Sequence, residues 1–284
     1  MLDTMQPFDV IRVGGDGATT AADQVAREAA LEVRLNGEPF SVIMRTPGAD
    51  RDLATGFLFT EGIIRTAADV QGVSAPAPDV IDMTLSPSLA ASVPALAGTR
   101  RQVTLNSSCG MCGRRSLEAL EVQAAPLPVG WHVAAAVVAG LPEALREAQP
   151  VFAETGGLHA AALFGQDGRI EASAEDVGRH NAVDKLIGRM LAAGRLPLSD
   201  RLLFVSGRSS FEIVQKAWQA GVPIVAAVSA PSSLAVGLAR QAGLTLIGFV
   251  RDGRFTIYAH EARVDRRPVP PARPVGAAAA SSGS

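Results

Sequence analysis

Two textures of apolar and polar patterning divide the chain near residue 150. Before it, apolar residues come in short alternating runs. Leu31, Val33 and Leu35 enclose Glu32 and Arg34, and a second run covers Phe40-Ser41-Val42-Ile43-Met44, so two strands are expected. Between them Asn36-Gly37-Glu38-Pro39 carries Asn-Gly, a strong hairpin signal. Residues 50–61 repeat with helical spacing, with Leu53, Phe57 and Leu58 on one face and Asp50 placed to cap the start. Residues 80–85 and 102–105 read as further short strands, which makes 29–105 a β-rich N-terminal domain. Residues 1–28 hold one strand signal at 9–13 ahead of a Gly/Ala/Thr-rich stretch and read as a weakly ordered leader.

After Val151 strands and helices alternate. Apolar strands are predicted at 160–164, 201–205, 223–228, 244–250 and 255–258, and helices at 182–193, 211–220 and 233–242. Gly165-Gln166-Asp167-Gly168 marks a turn, and Gly221 and Gly243 end helices. The pattern predicts an α/β domain over 106–265, built on a mostly parallel sheet that binds ligands at the carboxyl ends of its strands. Residues 266–284, rich in Pro, Ala and Ser, are expected to be disordered.

Composition narrows the class. With 284 residues, 48% of them hydrophobic, the chain can bury one large core or two smaller ones. A net charge of −2, with Lys and Arg interspersed among acids, argues against a nucleic-acid partner. There is no apolar run of bilayer length and no secretory signal pattern, so no membrane association is expected and the cytoplasm is the expected compartment.

Both cysteines of the chain fall in one stretch, Asn106-Ser107-Ser108-Cys109-Gly110-Met111-Cys112-Gly113-Arg114-Arg115. Spacing alone leaves redox or sulfur chemistry, half a metal site and structural use all open. The setting favours reactive thiolates. Two arginines follow, and Ser116-Leu117-Glu118-Ala119-Leu120 reads as a helix start whose positive end stabilises a thiolate.

Two strand ends share a second chemistry. Ser206-Gly207-Arg208-Ser209-Ser210 follows one strand and Ser229-Ala230-Pro231-Ser232-Ser233 the next, each leading into a helix. Backbone N–H groups and hydroxyls at a helix start suit a phosphate, and Arg208 adds a fixed charge; the alternative is that the serines cap their helices. A third cluster is Glu175-Asp176-Val177-Gly178-Arg179-His180-Asn181-Ala182-Val183-Asp184-Lys185. If helical from Arg179, it places His180 over Asp184 and Asn181 over Lys185, either as a functional polar face or as a solvated one. His159, after Gly156-Gly157-Leu158, is a further candidate with a capping or core role as its alternative.

The stretches 35–40, 44–48, 56–64, 107–113, 155–161, 175–185, 205–217, 227–236 and 248–258 together resemble the formate dehydrogenase accessory sulfurtransferase family, in order along nearly the whole of 31–258. The resemblance implies a sulfur carrier that takes persulfide sulfur from a cysteine desulfurase. It delivers that sulfur to the bis(molybdopterin guanine dinucleotide) molybdenum cofactor of formate dehydrogenase. The larger domain is then expected to be similar to cytidine deaminases in fold. The family's persulfide cysteine maps to Cys109, with Cys112 assisting. Its cofactor-binding stretch maps to Phe249, Val250, Arg251, Asp252, Gly253 and Arg254. Together with the phosphate-type positions Ser206, Gly207, Arg208, Ser209, Ser232 and Ser233, this gives the expected cofactor contacts. A homodimer without a metal of its own is also implied. Three rivals remain: a cofactor-binding chaperone with incidental cysteines, a zinc-dependent nucleobase deaminase, and a thiol–disulfide oxidoreductase, whose CxxC would be expected after the first strand of a thioredoxin-like βαβ unit. The second lacks a His-x-Glu placed before Pro-Cys-x-x-Cys, because His159 is followed by Ala160 and Ala161 and comes after the cysteines.

Overall fold

A computed structural model describes residues 4–91 and 125–267. Strands β1 (Met5–Gly14) and β2 (Gly17–Ala26) form an antiparallel hairpin. The leader expected over 1–28 thus carries two strands where one was predicted. Its Ala/Thr/Gly-rich second arm lacks a clean period-2 signal, and local pairing in register from Met5↔Ala26 to Gly14↔Gly17 supplies what propensity does not.

Strands β3 (Ala29–Leu35), β4 (Glu38–Arg45), β5 (Val70–Ala77) and β6 (Val80–Leu85) make a four-stranded sheet in the order β4-β3-β6-β5. The β3–β4 hairpin turns at Asn36 and Gly37, both at positive φ, as the Asn-Gly pair predicts. Helix α1 (Asp50–Thr60) follows β4, and the short α2 (Pro87–Ala90) follows β6.

The second sheet holds β8 (His159–Phe164), β9 (Ile170–Asp176), β10 (Leu202–Val205), β11 (Ile224–Ala227), β12 (Thr245–Arg251) and β13 (Arg254–Ala259), in the order β13-β12-β11-β10-β8-β9. A two-residue strand β7 (Val133–Ala134) pairs with β14 (Val264–Asp265) at its margin. Only β10, β11 and β12 run parallel to one another; β8 is antiparallel to both β10 and β9, and β13 is antiparallel to β12. The sheet is therefore mixed rather than mostly parallel. The connections β8–β9 and β12–β13 are tight turns, too short for a crossover helix, and tight turns reverse the chain.

Five more helices cover this sheet: α3 (Ala135–Glu147), α4 (Pro150–Thr155), α5 (Arg179–Ala192), α6 (Phe211–Gln219) and α7 (Ser233–Ala242). Alternation along each strand decides which face a residue serves. Ala160, Ala162, Phe164, Leu202, Phe204, Ile224 and Ala226 pack with Val138, Leu141 and Leu145 of α3. Ala161, Leu163, Leu203, Val205, Val225 and Ala227 pack with α5, α6 and α7. That second core continues through Leu53, Phe57 and Leu58 of α1 into Leu31, Val33, Ile81 and Met83, so one apolar cluster joins the two sheets. Among the described residues, no helix is long and apolar enough to cross a membrane.

Helices α1 and α5 touch backbone to backbone. A Cβ on Gly56 would lie 1.9 Å from the Asp184 carbonyl oxygen, and one on Gly188 would lie 1.9 Å from that of Asp52. Only glycine permits this approach, and it fixes α5 against the N-terminal sheet layer.

Candidate functional site

The predicted site begins where β10 and β11 end. Ser206 to Ser210 and Ser229 to Ser232 run side by side, with a parallel bridge between Ser209 and Pro231 and the Ser232 N–H donating to the Ser209 carbonyl at 3.0 Å. Ser206 is tied to β8: its N–H donates to the Ala160 carbonyl and its Oγ accepts from the Ala160 N–H, both at 2.9 Å. Ser232 is the N-cap of α7, accepting from the Ala235 N–H at 3.2 Å, while Ser233 and Arg208 are exposed. Ser209 is fully buried, and its Oγ has no hydrogen-bond partner among the described residues.

The stretch 249–254 reaches the same place. The Phe249 N–H donates to the Ser229 carbonyl at 3.2 Å, and Gly248 presses on this loop so closely that a Cβ would stand 3.0 Å from Pro231 and 3.1 Å from the Ser229 oxygen. Phe249 is held at φ 54°, uncommon for a bulky residue, where the β12–β13 pairing is irregular. Its half-exposed ring carries the Arg251 guanidinium 5.6 Å from the centroid. Asp252 and Gly253 form the exposed turn, and Arg254 opens β13 on the surface. Val250 instead points into the α3-side core, fully buried, and supports the stretch from behind.

A second group, partly anticipated, adjoins Gly207. A Cβ there would lie 3.5 Å from Arg179 Cδ and 3.5 Å from His159 Nδ1, so the glycine brings backbone against both side chains. His180, 95% buried, places Nε2 3.2 Å from Ser210 Oγ and 3.7 Å from a Glu212 carboxylate oxygen. Glu212 is pulled down to about 2, first by the hydrogen bond from His180 and then by Ser210 and its own backbone N–H. His159 lies below the usual histidine value because burial and then the charges of Arg179 and His180 disfavour its cation. Burial, with Lys216 and Arg179 nearby, pushes His180 down as well.

What holds this group is buried under α5. The helix begins at Arg179 rather than 182, because Asp176 accepts from the Gly178 N–H at 2.8 Å and so shapes the turn before it. Asp176, fully buried, also accepts from Asn181 Nδ2 at 2.8 Å and pairs with Lys185 Nζ at 2.7 Å. Asp184 pairs with Lys216 Nζ at 2.8 Å and accepts from the Thr60 hydroxyl at 2.8 Å. The 179–185 face is thus neither solvated nor internally paired; its charges bond across to β9, α6 and α1. Glu212 and Lys216 had no signal in the sequence beyond lying on an amphipathic helix.

Cys109 and Cys112, the helix start at 116–120 and the strand at 102–105 lie outside the described residues. The residues following that stretch are well anchored: Trp218 Nε1 donates to the Ala125 carbonyl at 2.9 Å. Arg263, fully buried, donates to the carbonyls of Leu127 and Pro128 at 3.1 and 2.8 Å.

Known proteins resemble this chain over nearly its whole length. It is 50% identical over 268 residues to the sulfur carrier protein FdhD of Anaeromyxobacter dehalogenans, covering 90% of this chain and 92% of that one. It is 46% identical over 272 residues to that of Streptomyces avermitilis, covering 91% and 95%. The crystal structure of a formate dehydrogenase accessory protein from Desulfotalea psychrophila superimposes with a TM-score of 0.74 at 24% identity, covering 92% of this chain and 99% of that one, and so shares the fold. The profile of the FdhD/NarQ family matches residues 26–265, and the chain belongs to that family.

Proposed function

We propose that this chain is a sulfur carrier serving formate dehydrogenase, and that Cys109 carries the sulfur. The observation that supports this most directly is near-full-length identity of 46–50% to proteins named sulfur carrier protein FdhD. The chain's two cysteines, at CxxC spacing, supply the chemistry. A Cys109 thiolate attacks the outer sulfur of a cysteine desulfurase persulfide; the donor S–S bond breaks, the donor leaves as a thiolate, and Cys109 becomes the persulfide. The Cys112 thiolate then attacks the inner sulfur, forming a Cys109–Cys112 disulfide and expelling the outer sulfur as hydrosulfide toward the acceptor. The acceptor in this reading is the bis(molybdopterin guanine dinucleotide) cofactor, bound as client. Its phosphates and bases meet the surface made by 206–210, 229–233 and 249–254.

In this reading 29–105 is a β-rich domain and 106–265 a domain of cytidine-deaminase-like fold, carried by a cytoplasmic homodimer. The mixed sheet with helices on both faces supports that fold. A chaperone without sulfur transfer would use the same cofactor surface, so the test must address the thiols.

Intact mass after incubation with a cysteine desulfurase and free cysteine provides it, with Cys109→Ala and Cys112→Ala alongside. Reductant-labile sulfur on the parent and the Cys112 variant, and none on the Cys109 variant, is the expected result. No added sulfur on any of the three, or Cys109→Ala still activating formate dehydrogenase, would sink the carrier reading in favour of the chaperone.

A further inference from the structure

The β1–β2 hairpin is the element that the rest of the fold covers least. β2 rests on α4 and Ala26 packs on Gly157, but β1 is exposed at every position except Met5 and Val10. Ile11 and Val13 are 71% and 80% exposed, and Phe8 and Val25 add 48% and 43%. A two-stranded ribbon in water is marginal by itself, and an uncovered edge is a template for another strand.

The turn shows which groups that edge offers. Gly14 pairs with Gly17 across Gly15 and Asp16, so Gly14 and every second residue before it bond inward to β2. The Arg27 N–H, donating to the Thr4 carbonyl at 2.9 Å, continues that alternation beyond the strands. Asp9, Ile11 and Val13 therefore direct N–H and C=O outward, and no other backbone group among the described residues engages them. Pro7 belongs to the same outward set, where its missing N–H costs the hairpin nothing but would cost a new neighbour a bond.

The geometry points to a second copy of this chain on that edge, β1 against β1 and antiparallel, about a two-fold axis through Ile11 perpendicular to the ribbon. Ile11 then faces the partner's Ile11 and Asp9 faces the partner's Val13. The outward groups of 9, 11 and 13 are all paired, and Pro7 stays outside the ladder. Arg12, already held by Asp23 at 3.1 Å, faces the partner's Val10, so no like charges stand opposite one another. Centring on Asp9 would oppose two carboxylates and bring in Pro7, and centring on Val13 would shorten the ladder. The edge thus complements itself, as an isologous contact requires. Paired over 8–14, the contact is about 24 Å long and buries roughly a few hundred Å² per copy, below the about 800 Å² of a standard interface, so the pair forms reversibly at micromolar concentrations. The inference rests on the homodimer reading above for the presence of two copies, and adds the surface between them.

Sedimentation equilibrium of the full chain across micromolar concentrations tests this. Ile11→Lys, at an exposed position, should keep the parent's circular dichroism and weaken dimerisation at least about tenfold, because it sets two ammonium groups opposite each other. A second measurement uses a Cys109→Ser, Cys112→Ser background with copper–phenanthroline as oxidant. There Ile11→Cys should give a disulfide-linked dimer, since residues paired in this way stand about 5.5 Å apart at Cα, within disulfide reach. Thr20→Cys, opposite Ile11 within the hairpin but about 14 Å from its counterpart across the axis, should not link. A dimer left unchanged by Ile11→Lys, or one that Ile11→Cys fails to link or Thr20→Cys links equally well, overturns the β1 surface and leaves the homodimer reading standing. A parent that stays monomeric throughout overturns both. Neither outcome touches the sulfur-carrier reading, which the intact-mass measurement addresses.

Discussion

The α1–α5 contact yields a prediction whose magnitude follows from distances. Gly56→Ala places a methyl carbon 1.9 Å from the Asp184 carbonyl oxygen and 2.6 Å from its carbon, where real Cβ atoms essentially never come within 3.0 Å. The obstacle is helix backbone, so no rotamer change relieves it, and the helices must separate by roughly 1 Å. Separation loosens Leu53, Phe57, Leu186 and Ile187, all buried in one cluster. Overpacking costs about 1–3 kcal/mol, and an unyielding neighbour puts this site at the upper end. Alanine's better helix propensity returns about 1 kcal/mol. The net loss is then about 2 kcal/mol, a fall in Tm of about 4–8 °C for a chain of this size. Gly188→Ala meets the Asp52 carbonyl oxygen at the same 1.9 Å and should behave alike. Because one separation relieves both clashes, the double variant should lose less than the two single losses added, by about 1 kcal/mol or more. Urea unfolding of the four proteins, with GDP affinity measured in parallel, checks this. Additive losses, or a Gly56→Ala protein about 1 kcal/mol more stable than the parent, would refute it.

Other consequences are quickly tested. Asp176→Asn leaves the Lys185 ammonium buried without its anion and should cost about 3–5 kcal/mol, much of it recovered by adding Lys185→Met, as read by denaturant midpoints. Ser232→Ala removes the one side-chain cap of α7 and should cost about 1 kcal/mol in the same assay. Glu212 is held well below its ordinary value of 4.5, at about 2, so its contribution is complete above about pH 4.5 and is lost as pH falls through 2. Glu212→Gln should therefore be less stable than the parent at neutral pH, and the gap should narrow below about pH 4.5 and close as pH falls through about 2 in acid titrations followed by circular dichroism.

Much of this molecule was readable from local pattern. The β3–β4 hairpin, α1, β6, α6 and α7 fall within a residue or two of their expected limits, because each is specified by its own periodicity and its own stop signal: Asn36-Gly37, Gly221, Gly243. Elements lacking such signals were missed. α3 carries Pro142 in its interior, and the apolar positions of β9 are mostly alanine, a poor strand former, so neither gives a clear signal.

The sequence by itself determined the α/β alternation, the two serine-bearing strand ends, the CxxC pair and the family that this chain resembles. All of these are set by residues near one another in the chain or by motifs quoted in order. Tertiary structure decided the rest. Strand direction in the larger sheet depended on which connections were too short to cross over. The polar 179–185 stretch could be solvent-facing or buried until its partners were seen, and those partners, Thr46, Thr60, Asp176 and Lys216, are spread from one end of the fold to the other. His159, Arg179 and Gly207 meet only because β8 lies antiparallel beside β10, a contact between residues almost fifty positions apart that no local pattern encodes.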